Sequence, residues 1–189
     1  MIIYYSANQS KSGLKILLKN EPCLILENQF VKPGKGQPFN RIKIKKLISG
    51  KIFTKIFKSN EKLIYADVLD VKVKSLYKDK KYWNFIKKEN FEQFKISKKN
   101  LGEKYKWIIE QLECIVTFWD ENPINITLPR FVDIKVCNAN FDIKGDTIKS
   151  GNKYIILTTG AIIKAPIFIR SEEIVRVDTN LGEYVSRIK

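Results

Sequence analysis

Phe30-Val31-Lys32-Pro33-Gly34-Lys35-Gly36-Gln37 sets charged side chains between residues that constrain or free the backbone. Proline fixes φ at about −65° and glycine accepts a positive φ, so residues 32–35 fit a type II turn with Pro33 second and Gly34 third. Arg41-Ile42-Lys43-Ile44-Lys45 follows with the alternation of a half-buried strand. The stretch therefore predicts a β-hairpin with Lys35 near its tip.

A lysine at such a tip also has an ordinary explanation. Hairpin tips are commonly rich in glycine and proline and carry solvated lysines. On this stretch alone a plain turn is the simpler interpretation, so a function for Lys35 needs support from the rest of the chain.

The distribution of charge provides some of that support. The 189-residue chain has 35 Lys+Arg against 20 Asp+Glu, a formal net charge of +15. Residues 1–65 hold 13 basic and 3 acidic side chains, residues 66–129 hold 12 and 10, and residues 130–189 hold 10 and 7. The excess predicts a polyanionic partner, either nucleic acid or an acidic membrane surface, that faces the first third of the chain.

Residue types that are scarce in the chain exclude several functions. There is no histidine, which removes Ser-His-Asp and Cys-His nucleophiles and disfavours a transition-metal site. Cys23, Cys114 and Cys137 lie far apart in apolar runs and are predicted to be buried thiols in a reducing cytosol. We see neither a signal-peptide pattern nor an apolar run of about 18 residues, so we expect a soluble cytoplasmic protein.

Residues 1–65 are predicted to form a small β-barrel. Asn20-Glu21-Pro22 and Ser49-Gly50 are turn signals. They separate short β runs at 14–18, 23–26, 30–32, 39–47 and 52–57. Basic residues between the apolar ones predict either an ordinary solvated face or a phosphate-facing surface, and the charge excess favours phosphate. The residues concerned are Lys43, Lys45 and Lys55, predicted to share one face, with Arg41 and Lys43 as candidate RNA contacts.

Residues 66–128 are predicted to form a second domain. The strand at 67–76 has one face made of Leu69, Val71 and Val73. Apolar residues at three- and four-residue steps predict an amphipathic helix over residues 97–112, between strands at 82–86, 114–119 and 124–128. Strands with one late helix are typical of an oligonucleotide-binding (OB) barrel. The aromatics Tyr82, Trp83 and Phe85 fit a base-stacking platform or core packing, of which core packing is favoured.

Residues 129–189 are predicted to form a third, all-β barrel. Strands are expected at 131–136, 155–158, 161–169, 173–177 and 184–188, with Gly/Asn/Asp turns between them. No catalytic grouping occurs in the loops of this segment. Together with the absence of histidine, this leads us to predict that the chain is not an enzyme.

Two segments make the whole chain resemble bacterial elongation factor P. The first runs from Glu21-Pro22 through Phe30 to Gln37, and the second from Gly160-Ala161-Ile162-Ile163-Lys164-Ala165-Pro166 through Val177-Asp178-Thr179 to Gly182-Glu183-Tyr184-Val185-Ser186-Arg187. Ala165 replaces the family's usual valine. The resemblance implies an N-terminal SH3-like (KOW-type) barrel followed by two OB-fold barrels in an L-shaped, tRNA-like arrangement.

The same resemblance implies a function. Members of the family bind the 70S ribosome between the P and E sites, beside peptidyl-tRNA and ribosomal RNA, and relieve stalling at consecutive prolines. The residue corresponding to Lys35 carries a β-lysyl group, added by a lysyl-tRNA-synthetase-like enzyme, and can also be hydroxylated. Pro33, Gly34 and Gly36 form its loop, and a lysine there implies the β-lysylated branch.

The resemblance also implies contacts from the third domain, and a monomer without further cofactors. Gly145-Asp146-Thr147 would lie near the E-site codon. Tyr184 and Arg187 would lie close to ribosomal or tRNA contacts, although both also fit a structural final strand.

Two other functions stay open from the residues themselves. A general RNA-binding module would need no ribosome and would treat Lys35 as one charge among many. An enzyme with Lys35 as a Schiff-base nucleophile would need a depressed lysine pKa, which a wet hairpin tip disfavours.

Overall fold

A computed structural model of the protein describes residues 3–141 and 151–188. Within those residues sixteen strands form three sheets that follow one another along the chain. The mainly β class predicted from the sequence is therefore confirmed.

The first sheet has the strand order β1-β6-β2-β3-β4-β5. Its strands are β1 (Tyr4–Ser6), β2 (Lys15–Leu18), β3 (Glu21–Val31), β4 (Phe39–Lys46), β5 (Ile52–Lys58) and β6 (Lys62–Tyr65). Side chains alternate along β4, so Asn40, Ile42 and Ile44 are buried while the residues between them reach the surface. The core beneath consists of Ala7, Ile16, Cys23, Ile25, Ile42, Ile44, Phe57 and Leu63.

Strand β3 is continuous, whereas the sequence predicted two runs and a turn at residues 20–22. The turn is Lys19-Asn20, with φ of 52° and 61°, and Glu21 and Pro22 already pair with β2. The register of β3 against β4 then shifts between Ile25 and Glu27. This irregularity interrupts the alternation and makes one strand look like two.

Strands β1 and β6 were not predicted from the sequence. They pair with each other, and β6 also pairs with β2. Each is three or four residues long, too short to show an alternation of its own.

The second sheet has the order β11-β10-β7-β8-β9. Its strands are β7 (Val68–Lys78), β8 (Tyr82–Lys87), β9 (Gln93–Ser97), β10 (Glu113–Trp119) and β11 (Asn122–Thr127). Trp83 and Phe85 are 4% and 0% exposed, so they pack in the core as favoured above. On β7, Val73 is fully buried but Leu69 is 60% exposed. Alternation along a strand determines which face of the sheet a side chain is on, but a side chain is buried only where another part of the chain packs on that face.

The predicted helix over residues 97–112 is wrong over much of its length. Helix α1 spans only Lys98–Leu101, and a 3-10 segment continues over Gly102–Trp107. Ser97 caps the start by accepting a hydrogen bond from the Asn100 N–H at 3.2 Å, and Ile108 is extended. The apolar residues beyond have other partners: Trp107, Ile109 and Leu112 pack against the core of the third sheet.

Ser75 holds this extended segment against β7. Its buried hydroxyl donates to the Ile109 carbonyl at 2.5 Å and accepts from the Leu112 N–H at 2.9 Å. The backbone of Ser75 also exchanges hydrogen bonds with Gln111 and Leu112. These bonds satisfy backbone groups that a helix would have paired internally.

The third sheet has the order β14-β13-β12-β15-β16. Its strands are β12 (Phe131–Phe141), β13 (Asn152–Leu157), β14 (Ile162–Pro166), β15 (Ile174–Asp178) and β16 (Glu183–Ile188). Strands β14 and β16, at the two ends of this order, come into contact, as in a barrel. The core is aliphatic and includes Val136, Ile155, Ile169, Val175 and Val177.

The chain also divides into two compact units. One runs to Val71 and includes Val116–Asn125, and the other comprises Lys72–Ile115 and the chain from Ile126 onward. The domain boundaries predicted after residues 65 and 128 stay predictions.

Candidate functional site

The candidate site is the loop of residues 32–38, which joins β3 to β4. The two strands pair from Glu27↔Lys43 out to Val31↔Phe39, so the loop lies at the end of a regular antiparallel hairpin. Lys35 is at the middle of this loop and is exposed, as are its neighbours Gly34 and Gly36.

The type II turn predicted for residues 32–35 is wrong. That turn requires a positive φ at Gly34, whereas the positive φ of the loop, 107°, is at Gly36. Seven residues separate the two strands here. A loop of that length does not need a four-residue tight turn to reverse the chain, and Gly36 rather than Gly34 has the conformation that favours glycine.

The amine of Lys35 forms no hydrogen bond or ion pair with any described residue. An amine on an exposed loop is accessible both to a modifying enzyme and to an anionic partner. The loop therefore fits a presented cation better than a buried nucleophile.

A basic face adjoins the loop on the outer side of β4. Cross-strand partners share a face, and the outer residues of β4 lie opposite an exposed set on β5. The pairs are Arg41↔Ile56, Lys43↔Thr54 and Lys45↔Ile52. Lys43 is bound to Glu27 at 3.2 Å, whereas Arg41 and Lys45 form no ion pair with the described residues. Arg41 and Lys45 are thus better placed than Lys43 for a polyanion.

Lys55 does not belong to this face, contrary to the prediction. It pairs with the buried Ile42 and therefore lies on the opposite side of the sheet from Lys43 and Lys45. Its amine lies 4.6 Å from the centroid of the Phe57 ring. Because β5 is at the edge of the sheet, this long side chain crosses the ring and still reaches solvent.

The few carboxylates of the first third are already engaged. Glu21 pairs with Lys46, Glu27 pairs with Lys43, and Glu61 accepts from the Lys58 N–H at 3.2 Å. The bond to Glu21 raises the pKa of Lys46. Of the 13 cations of residues 1–65, only Lys15, Lys43 and Lys46 form an ion pair with a described residue.

The predicted contacts of the third domain have mixed surroundings. Tyr184 is half-buried and packs against the core. Arg187 donates to Glu173 at 3.1 Å, and its guanidinium lies 5.6 Å from the centroid of the exposed Phe168 ring. Gly145, Asp146 and Thr147 lie outside the described residues.

Asp178, named above only as part of the second segment of the resemblance, is a structural residue. It is 4% exposed and accepts hydrogen bonds from Arg130 Nε at 3.0 Å, Asn180 N at 2.9 Å and Leu181 N at 3.3 Å. The Arg130 bond is the main reason that the pKa of Asp178 lies below its usual value. Aspartate ahead of a Thr-Asn-Leu-Gly turn was the available signal, because its side chain can bond to the backbone two residues on.

The three cysteines differ in burial. Cys23 and Cys114 are buried, and burial raises the pKa of Cys114 to about 12, but Cys137 is exposed and corrects the prediction of three buried thiols. Among residues 3–141 and 151–188, no group of three or more Cys, Asp or Glu side chains could hold a metal ion. No helix in that part of the chain is long and apolar enough to cross a bilayer.

Comparison with known families assigns all three sheets. Residues 6–63 match the elongation factor P KOW-like domain, residues 68–126 match the elongation factor P OB domain, and residues 132–187 match the elongation factor P C-terminal domain.

Two solved structures share the fold of two thirds of the chain. A translation initiation factor eIF-5A family protein from Naegleria fowleri is 17% identical with a TM-score of 0.55, covering 67% of this chain and 96% of that one. Eukaryotic translation initiation factor 5A from Methanococcus jannaschii is 15% identical with a TM-score of 0.54, covering 67% and 93%.

An elongation factor P KOW-like domain, an OB domain and an elongation factor P C-terminal domain in this order identify a translation elongation factor. The three domain matches are consecutive and span nearly the whole sequence. The chain belongs to the elongation factor P family, which implies an interaction with the ribosome.

Proposed function

We propose that this protein binds the ribosome between the P and E sites, beside peptidyl-tRNA, and relieves stalling at consecutive prolines. The observation that carries the proposal is the exposed Lys35, which has no ion-pair partner among the described residues and lies at the middle of a loop that extends a basic hairpin. Membership in the elongation factor P family implies the ribosome as the partner, and the hairpin is a narrow element that can enter a cleft.

The chemistry needed from the protein is positioning. Proline reacts poorly in peptide-bond formation because its ring restricts geometry, and holding reactants in alignment can be worth about 7–11 kcal/mol. Lys35 would hold the acceptor end of the tRNA in reactive geometry while Arg41 and Lys45 follow its phosphates. No proton transfer by the protein is required, so the factor would assist the ribosomal peptidyl transferase without being an enzyme.

The proposal includes a modified Lys35. A β-lysyl group, with or without a hydroxyl, would extend the amine beyond the loop while Gly34 and Gly36 keep the tip narrow. A lysyl-tRNA-synthetase-like enzyme would add it in the cytoplasm, and the factor would act as a monomer. Intact mass spectrometry of protein from its native host, with the modified peptide mapped, tests this part directly.

The C-terminal domain would lie on the side of the small subunit. Gly145-Asp146-Thr147 would approach the E-site codon, and Tyr184 and Arg187 would support neighbouring contacts. Because Arg187 is bound to Glu173 and Tyr184 packs on the core, both would act by shaping the surface.

Lys35→Ala tests the main claim in a translation system that lacks the native factor. We expect the variant to fold normally and to lose rescue of a reporter with three consecutive prolines. Lys32→Ala is the matched control, because it removes an equal charge from the same exposed loop and should retain most of the rescue. Full rescue by Lys35→Ala would instead favour a general RNA-binding module.

A further inference from the structure

Beyond its base, the hairpin that carries Lys35 has a neighbouring strand along only one of its two edges. Strand β2 pairs with β3 only over residues 21–24. Past the register shift at Ile25, residues 27–31 of β3 pair with β4, and no described strand lies on their other side. Beyond this point β2 does not hold β3, so any link from this edge to the barrel has to come from other groups.

A chain of amide hydrogen bonds lies at that point. Asn28 Nδ2 donates to the Ala7 carbonyl at 2.8 Å and to the Ser10 carbonyl at 2.6 Å. Asn40 Nδ2 donates to Asn28 Oδ1 at 2.9 Å. Asn28 thus links both strands of the hairpin to the 3-10 turn Ala7–Gln9.

The turn is itself attached to the barrel. The Ala7 N–H donates to the Glu61 carbonyl at 2.9 Å, and the Asn8 N–H donates to the Ser59 carbonyl at 3.1 Å. Ala7 is fully buried. A continuous path of hydrogen bonds therefore runs from the β5–β6 connection through the turn to β3 and then to β4.

Asn40 is an unusual residue for its place. It is 1% exposed, pairs across the sheet with Phe57, and its Oδ1 has no partner among the described residues. A buried acceptor without a partner costs free energy that an apolar side chain of similar size would avoid. The Oδ1 thus contributes no hydrogen bond to stability, and what the amide adds is the Nδ2 bond that joins β4 to Asn28.

We propose that Asn28 and Asn40 are positioning residues that set the direction in which the hairpin presents Lys35. The inference rests on the proposed function of Lys35. The two amides do not touch the ribosome. They limit the swing of residues 29–41 relative to the barrel, so that the tip arrives in one orientation.

Asn40→Leu separates positioning from stability. Leucine has a similar size, suits the buried site beside Phe57 and removes the unpartnered Oδ1, but it also takes the donor away from Asn28 Oδ1. The two effects oppose each other, so we expect little change in the urea midpoint. We also expect amide hydrogen exchange to accelerate selectively in residues 29–41. In the rescue assay, the maximal rate should fall about tenfold, while the concentration of the factor that gives half of the maximal rate should not change. If Asn40→Leu folds poorly, Asn28→Ala at a half-buried site provides the same test.

Ser12→Ala is the matched control. The Ser12 hydroxyl donates to the Leu26 carbonyl at 2.6 Å, so the variant also removes a side-chain bond to β3, but at the register shift and not beyond it. We expect hairpin exchange and rescue to remain as in the parent protein.

Two results would overturn the inference. One is that residues 29–41 of Asn40→Leu exchange their amide hydrogens as slowly as in the wild-type protein. The other is that Asn40→Leu rescues at the wild-type rate while Lys35→Ala is inactive. If Lys35→Ala is itself active, the proposed function fails, and the exchange measurement still decides whether the two amides restrain the hairpin.

Discussion

At the scale of single residues, the two glycines beside Lys35 have different roles. Gly36 has a φ of 107°, and a Cβ built there would lie 3.8 Å from Pro33 Cγ, so the backbone and not a clash restricts substitution. Gly34 has neither a positive φ nor a neighbour within 4 Å. The sequence pattern suggested the opposite assignment.

Gly36→Ala should change the shape of the loop, and Gly34→Ala should not. An L-residue held at such a φ costs about 1–3 kcal/mol, and an exposed loop relieves that strain by moving. We expect Gly36→Ala to shift the amide resonances of residues 32–38 and to reduce rescue. In Gly34→Ala, the matched control, only the immediate neighbours should shift. Equal shifts in the two variants would contradict this account.

The same scale shows what could be predicted about the site. Lys35 at a hairpin tip follows from local turn and alternation signals, which depend on neighbours in the sequence. That Lys43 is ion-paired while Arg41 has no ion-pair partner among the described residues does not follow, because Glu27, the partner of Lys43, lies on another strand. Lys55 was placed on the wrong face because cross-strand register is set by pairing.

At the scale of elements, Trp107 connects the end of the 3-10 segment to the third sheet. It packs against the core of that sheet, and its ring lies over the turn before β16. A Cβ on Gly182 would be 3.2 Å from Trp107 Cζ2. Gly182 therefore allows a close approach between two elements distant in the sequence.

Gly182→Ala should destabilise the protein more than Gly160→Ala. Both glycines have positive φ, 71° and 86°, but only Gly182 faces a neighbour within 4 Å. The difference should be about 1 kcal/mol or more, in the range expected for overpacking. Urea unfolding followed by tryptophan fluorescence measures it. Adding Trp107→Leu should remove the difference, and a difference that persists would assign it to the backbone alone.

At the scale of the whole molecule, charge should govern binding. The net charge of +15 is concentrated in the first third, where the carboxylates are already paired with neighbours. Each cation that neutralises a phosphate releases counterions, so affinity should fall steeply as salt increases.

The Arg41→Ala, Lys45→Ala double variant should reduce that salt dependence. Its slope of log K against log salt for ribosomes carrying peptidyl-tRNA should be shallower by about 1.4–1.8, since each phosphate contact contributes about 0.7–0.9. The control is Lys80→Ala with Lys81→Ala, an equal loss of exposed charge in the second sheet's β7–β8 turn. Equal slopes in the two variants would show that net charge alone attracts the partner.

Alternation, turn residues and composition are sufficient to predict the mainly β class, most of the strands, the hairpin with Lys35 and the concentration of charge. Which residues share a face, where the helical segment ends, and how the amides of Asn28 and Asn40 tie the hairpin to the turn at Ala7–Gln9 became evident from the folded chain. These features arise from contacts between residues far apart in the chain. Alternation and turn signals depend only on neighbouring residues, so they do not determine such contacts.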